Sequence, residues 1–184
     1  MAATPHDVIG FWKAAGPQKW FARSSGFDEA IRLKFEPTHH AAARGEYDAW
    51  AQTPEGALAL LILLDQFPRN LYRGSPHAFA ADPLARAIAR KAIEAGLHLQ
   101  VEPSLRPFFF LPFEHSEDLA DQQRSCALCQ THMEATGDAD TLKWADLHRE
   151  IIERFGRFPH RNRALGRETT DEEQAFLDEG GFAG

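Results

Sequence analysis

"TPEGALALLILLDQFPRN", residues 53–70, decides how this chain folds. Thr53 is a helix N-cap, and Pro54 suits the first helical position, where a missing N–H goes unnoticed. From Ala57 to Leu64 every residue is apolar, and Leu58, Leu60, Leu61, Ile62, Leu63 and Leu64 run right round the helical circumference. A helix that is apolar on all sides must be surrounded by other elements. The stretch therefore predicts a central helix over 54–66, stopped by Pro68. Asp65, Gln66, Arg69 and Asn70 crowd its end, polar groups at the edge of the most hydrophobic segment in the chain.

Helix signals continue on both sides. Thr4-Pro5-His6-Asp7 and Asp82-Pro83 repeat the cap-then-proline device, and Thr170-Asp171-Glu172-Glu173 is a capping box. Gly45, Gly96, Gly137 and Gly156 each follow a helical pattern, as C-terminal glycines do. Helices are predicted over 5–14, 28–35, 38–44, 54–66, 83–95, 117–135, 139–155 and 171–178, with short turns near 76–80 and 105–111. No alternating run of β-branched residues competes with them. The expectation is an all-α chain forming a single domain over residues 1–184, about eight helices joined by short links that favour antiparallel neighbours.

Composition narrows the function. Hydrophobic residues make up 43% and charged residues 26% of the 184, as in ordinary globular domains. The apolar run Ala57–Leu64 falls well short of the roughly 18 residues a membrane span needs. "MAATPHDVIG" has no basic region and no long apolar segment, so no signal peptide is expected. The two cysteines, Cys126 and Cys129, suit a reducing cytoplasm rather than a disulfide scaffold. A net charge of −7 argues against nonspecific nucleic-acid binding. No nucleotide-binding or hydrolase motif occurs, and neither a metal nor a cofactor is expected.

Two places stand out. "DQFPRNLYRG", residues 65–74, and "EIIERFGRFPHRNRALGR", residues 150–167, each end an apolar run with Phe-Pro and follow it with arginine and asparagine. Asp65, at a helix C-terminus, faces the negative end of the dipole and calls for a cation, for which Arg69 and Arg73 are near. Arg154, Arg157, Arg161, Arg163 and Arg167, with His160 among them, form a basic island without an acid. Guanidinium forks suit carboxylates and phosphates, so the island could receive an anion. It could equally cap helix carbonyls and pair with internal acids, among which Asp65, Glu114, Glu117, Asp118 and Asp121 are candidates.

"LPFEHSEDLADQ", residues 111–122, reads as a helix start with Ser116 as N-cap and Glu117 and Asp118 in the first turn. That leaves His115 and Gln122 without a structural reason. His148 shares a helix face with Ala145, Ile152 and Phe155, so it points inward. Cys126 and Cys129 lie on a stripe with Leu119, Gln122 and Met133, which favours buried thiols over a redox pair.

Three of these stretches, "LALLILLDQFPRNLYRG", "LPFEHSEDLADQ" and "HREIIERFGRFPHRNRALGRE", resemble the bacterial family catalogued as domain of unknown function 924. The resemblance extends over nearly the whole chain, through "ARGEYDAWAQTPEG" and "TTDEEQAFLDEGG". It implies an all-helical fold similar to tetratricopeptide-repeat superhelices, with degenerate repeats, and no assigned activity. The positions it singles out are Asp65, Gln66, Arg69, Asn70, Arg73, His115, Ser116, Glu117, Gln122, His148, Arg157, His160, Arg161, Asn162 and Arg167. It implies ordinary apolar residues where this chain has Cys126 and Cys129, a further argument against redox chemistry.

The preferred expectation is that the two Phe-Pro turns approach each other around Asp65 and Glu117, leaving arginines free to bind a small anionic ligand, carboxylate or phosphate. In an enzyme, His115 or His160 would carry the proton. The alternative is an interaction scaffold with an arginine-lined groove for an acidic peptide. A third reading makes both turns purely structural.

Overall fold

The computed structural model describes residues 3–184. Its helices are α1 (Pro5–Ala15), α2 (Ser25–Ala43), α3 (Pro54–Leu61), α4 (Phe67–Leu71), α5 (Asp82–Glu94), α6 (Leu119–Thr136), α7 (Ala139–Phe155) and α8 (Asp171–Asp178). Shorter helical turns fill most of the links, and no strand occurs among the described residues. The all-α expectation holds. Contacts divide the chain into two compact units: residues up to Arg73 together with His77–Pro112, and Gly74–Pro76 together with Phe113–Gly184.

In the first unit the apolar stretch lies at the centre, and Leu58 and Leu60 to Leu64 are each at most 1% exposed. Burying each such side chain contributes about 1.5–3 kcal/mol. α1 and α5 pack against α3, and α2 packs against α4. Trp12 of α1 closes one side, edge-on to Phe67 and Phe108, while the Trp20 indole N–H donates to the Trp12 carbonyl at 2.7 Å. A Cβ on Gly56 would lie 2.1 Å from the Trp50 carbonyl oxygen, backbone that cannot swing aside. Gly56→Ala is therefore expected to cost about 1–3 kcal/mol. Thermal denaturation checks this, and an unchanged Tm would mean that the turn before α3 yields freely.

Two helix boundaries differ from expectation, both at prolines. The predicted helices over 28–35 and 38–44 are one, α2, which runs through Pro37. Proline removes the donor for the carbonyl four residues back, that of Leu33. Leu33 is 76% exposed, so this turn lies open to solvent. Nor does Pro68 end the central helix. A π-helical turn, Ile62–Gln66, follows α3, the Phe67 N–H reaches back to the Ile62 carbonyl, and α4 continues to Leu71 with Pro68 in its first turn. This register leaves the Leu63 carbonyl without a helical donor, because the residue five positions on is Pro68. His39 Nδ1 sits 2.8 Å from that carbonyl.

The second unit is built on α6 and α7, which pack along each other. Gly137 makes the tight link at φ 81°, a left-handed conformation that favours glycine, and Asp138 caps α7. Ile151, Ile152 and Phe158 form its core, with Leu147, Phe155, Phe176 and Phe182 packed against them. α8 begins with the predicted capping box between Thr170 and Glu173. The cap of α6 is Asp118 rather than Ser116: its carboxylate accepts the N–H groups of Ala120 and Asp121. Ser116 instead donates to Asp121 and accepts the Asp118 N–H.

Candidate functional site

The two Phe-Pro turns fall in different units, and each finds counter-charges inside its own. In the first unit Gln66 donates to Asp65 at 2.6 Å, and Arg69 grips the Asp65 backbone carbonyl while lying 3.4 Å from its carboxylate. The same guanidinium meets both oxygens of Asp82 at 3.1 Å. Burial lowers the Arg69 pKa, but the charges of Asp65 and Asp82 outweigh it and hold the side chain charged. Asn70 donates to Asp28 at 2.7 Å, and Arg73 forks onto both Asp28 oxygens at 2.8 and 3.1 Å. Five predicted site residues thus build a lock on α2, α4 and α5. The acids that complete it, Asp28 and Asp82, escaped the sequence reading because each reads locally as an ordinary first-turn acid.

In the second unit the basic island is largely spoken for. Arg157 forks onto Glu173 at 2.6 and 2.8 Å and donates to the Glu168 carbonyl. Asn162 donates to the same Glu173 at 3.1 Å. The Arg157 bonds foremost, with the Thr170 backbone and hydroxyl, outweigh burial and hold the Glu173 carboxyl down to about 2. Arg167 forks onto Glu117 at 2.9 and 2.7 Å, and the Phe158 N–H donates to the same carboxylate at 2.9 Å. Burial pushes Glu117 up, but the Arg167 bonds, the Phe158 N–H and the nearby arginine charges hold it below the usual range. Arg154 pairs with Glu172 at the surface. Glu173 was masked in the sequence by its cap: one local role concealed a second, long-range one.

What remains is a buried polar cluster around the turn before α6. Gln122, fully buried, donates to the carbonyls of Glu114 and Ser116, both at 2.6 Å, and Arg161 donates to the His115 carbonyl between them at 3.0 Å. Three successive carbonyls are therefore tied down by side chains. Arg161 is 6% exposed and lies over the Phe158 ring at 4.4 Å. His115 faces His148 with ring centroids 6.3 Å apart. His148 Nδ1 is 2.8 Å from the Trp144 carbonyl and 3.2 Å from Glu114, so the proton sits on Nδ1. His148 and His160 both pack against Phe182, at 4.5 and 5.1 Å. An imidazole oriented by a carboxylate, beside a second imidazole and a guanidinium, is an arrangement able to hold negative charge and to move a proton.

The description of a bacterial protein of unknown function, DUF924, matches residues 8–181. This chain belongs to that family. A solved structure of a protein of unknown function from Agrobacterium tumefaciens is similar to it, at 50% identity, over 96% of this chain and 97% of that one, with a TM-score of 0.90. No curated protein matches.

Other features of this DUF924 chain are quieter. Burial, then the charge of Glu114, pushes the Cys129 thiol far up, and burial likewise raises Cys126, which favours the protonated thiol at both. Among the described residues no three His, Cys, Asp or Glu side chains are placed to hold a metal ion. No helix among them is long and apolar enough to cross a membrane. A groove of about 530 Å³ on α6 and α7 exposes Trp144 and is also lined by Lys143, Asp146 and Glu150.

Proposed function

We propose that the protein binds a small anionic ligand, carboxylate or phosphate, at the cluster of Arg161, His115, His148 and His160, with Gln122 and Asn162 as its supporting carboxamides. The observation that carries the reading is the side-chain capping of three successive carbonyls at Glu114, His115 and Ser116. A turn that only joins two helices needs no such rigging, whereas a turn that must present His115 in one place does. The oxygens Gln122 Oε1 and Asn162 Oδ1 are buried without a hydrogen-bond partner. They favour an anion that also carries a hydroxyl or amino donor.

The test is a thermal-shift screen against inorganic phosphate, citrate, lactate and glutamate. A ligand at a hundredfold excess over its Kd stabilises by about 2.7 kcal/mol. Wild-type protein is expected to shift with one class of anion, and Arg161→Lys and His115→Ala to lose that shift. Arg154→Ala, at the exposed Glu172 pair, should keep it. An anion shift that survives both Arg161→Lys and His115→Ala, or no shift with any probe, overturns the reading.

A further inference from the structure

We propose that the first unit holds a second, separate binding pocket, for a small flat neutral molecule whose hydroxyl or ring N–H donates to His39 Nε2. The inference does not rest on the anion reading; it starts from the π-helical turn. Because Pro68 has no N–H and Phe67 reaches back to Ile62, the Leu63 carbonyl is left over, and His39 Nδ1 meets it at 2.8 Å. A carbonyl only accepts, so the imidazole proton sits on Nδ1 and the lone pair on Nε2. His39 is 5% exposed, and among the described residues it makes no other hydrogen bond. Burial further lowers its pKa and keeps the ring neutral.

His39 lines a pocket of about 440 Å³ with Glu36, His40, Tyr72, His77 and Ala81 among its walls. Glu36, Tyr72 and His40 of the wall are hydrogen-bonded already. Glu36 Oε1 accepts from Arg32 at 2.9 Å and from the Tyr72 hydroxyl at 3.1 Å, and the same hydroxyl lies 3.2 Å from His40 Nε2. Burial and the Glu36 carboxylate push the Tyr72 phenol up to about 12, so it donates to Glu36 and accepts from His40. His39 Nε2 is left as an unmatched acceptor in a wall of rings, with centroids 5.3 Å apart for His39–His40 and 5.9 Å for His39–Tyr72 and Tyr72–His77. A ring-lined pocket favours a flat ligand, and a ring nitrogen without a protein partner favours a donor on it. Neither lysine nor arginine lines this pocket, which sets it apart from the anion-binding cluster.

Phenol and anisole serve as the probes, since they share a ring and differ in the donor. With the whole protein labelled with 15N-histidine, phenol is expected to shift the His39 Nε2 resonance saturably, and anisole is expected not to. Ala80→Trp, at the exposed rim, should abolish the phenol shift while the His39–Leu63 bond stays in place. His39→Phe should remove the preference for phenol over anisole, read by ligand-observed NMR. Equal binding of the two probes to wild-type protein, or a phenol shift that persists in Ala80→Trp, overturns the proposal.

Discussion

Replacing Arg69 by methionine is expected to lower stability by about 3 kcal/mol, at the lower end of what breaking a buried ion pair costs. The reason is geometric. The guanidinium lies between Asp65, 1% exposed, and Asp82, 6% exposed, and it also grips the Asp65 backbone carbonyl at the π-helical turn. Methionine matches the apolar stem but leaves two desolvated carboxylates without the cation between them. Their mutual repulsion then adds to their burial cost. The triple variant Arg69→Met, Asp65→Asn, Asp82→Asn should recover part of the loss, because groups that share a partner are not additive. Urea denaturation reads both. A cost for Arg69→Met below about 1 kcal/mol, the range of an exposed pair, would show that this turn is not held by its charges.

Glu173→Gln is the second large effect, expected at about 2 kcal/mol for the loss of several charge-assisted hydrogen bonds. Arg157, Asn162 and the Thr170 N–H all donate to this one carboxylate. Water still reaches Arg157, whose side chain is 30% exposed, so the cost stays below that of a fully buried pair. The pH dependence follows from the lowered pKa. Glu173 titrates near 2 in the folded chain against an ordinary value of 4.5, so its contribution is complete above pH 4.5 and fades as pH falls towards 2. The midpoint of wild-type protein should therefore drop across that window. Glu173→Gln should start lower at neutral pH and lose less on acidification. Parallel acid profiles for the two proteins would remove Glu173 from the account.

Between them these two acids show where local reading stops. Asp82 and Glu173 each occupy the first turn of a helix, where a carboxylate needs no further explanation. Both are nevertheless buried partners of arginines 13 and 16 residues away. The arginines themselves were legible, since five of them in fourteen residues without an acid is conspicuous in a chain of net charge −7. Their direction was not. Of the predicted site residues, Arg69, Asn70, Arg73, Arg157 and Arg167 turn to acids of the same unit, and His115, Gln122, His148 and Arg161 gather about one turn. The His39 pocket gave no signal at all. It depends on one carbonyl released by a π-helical turn, and nothing in a 3.6-residue pattern announces an extra residue in a turn.

By itself the sequence determined that the chain is helical, that the stretch around Leu58 to Leu64 is buried on all sides, and which two Phe-Pro turns carry charge. Those are matters of period, caps and local composition, decided by residues within a few positions of one another. Only the tertiary structure decided that Pro37 and Pro68 do not end helices and which acid each arginine meets. It also decided which carbonyls are left for histidine and glutamine to fill. These depend on where water reaches the backbone and on groups distant in sequence, and a buried polar group takes whatever partner packing brings to it.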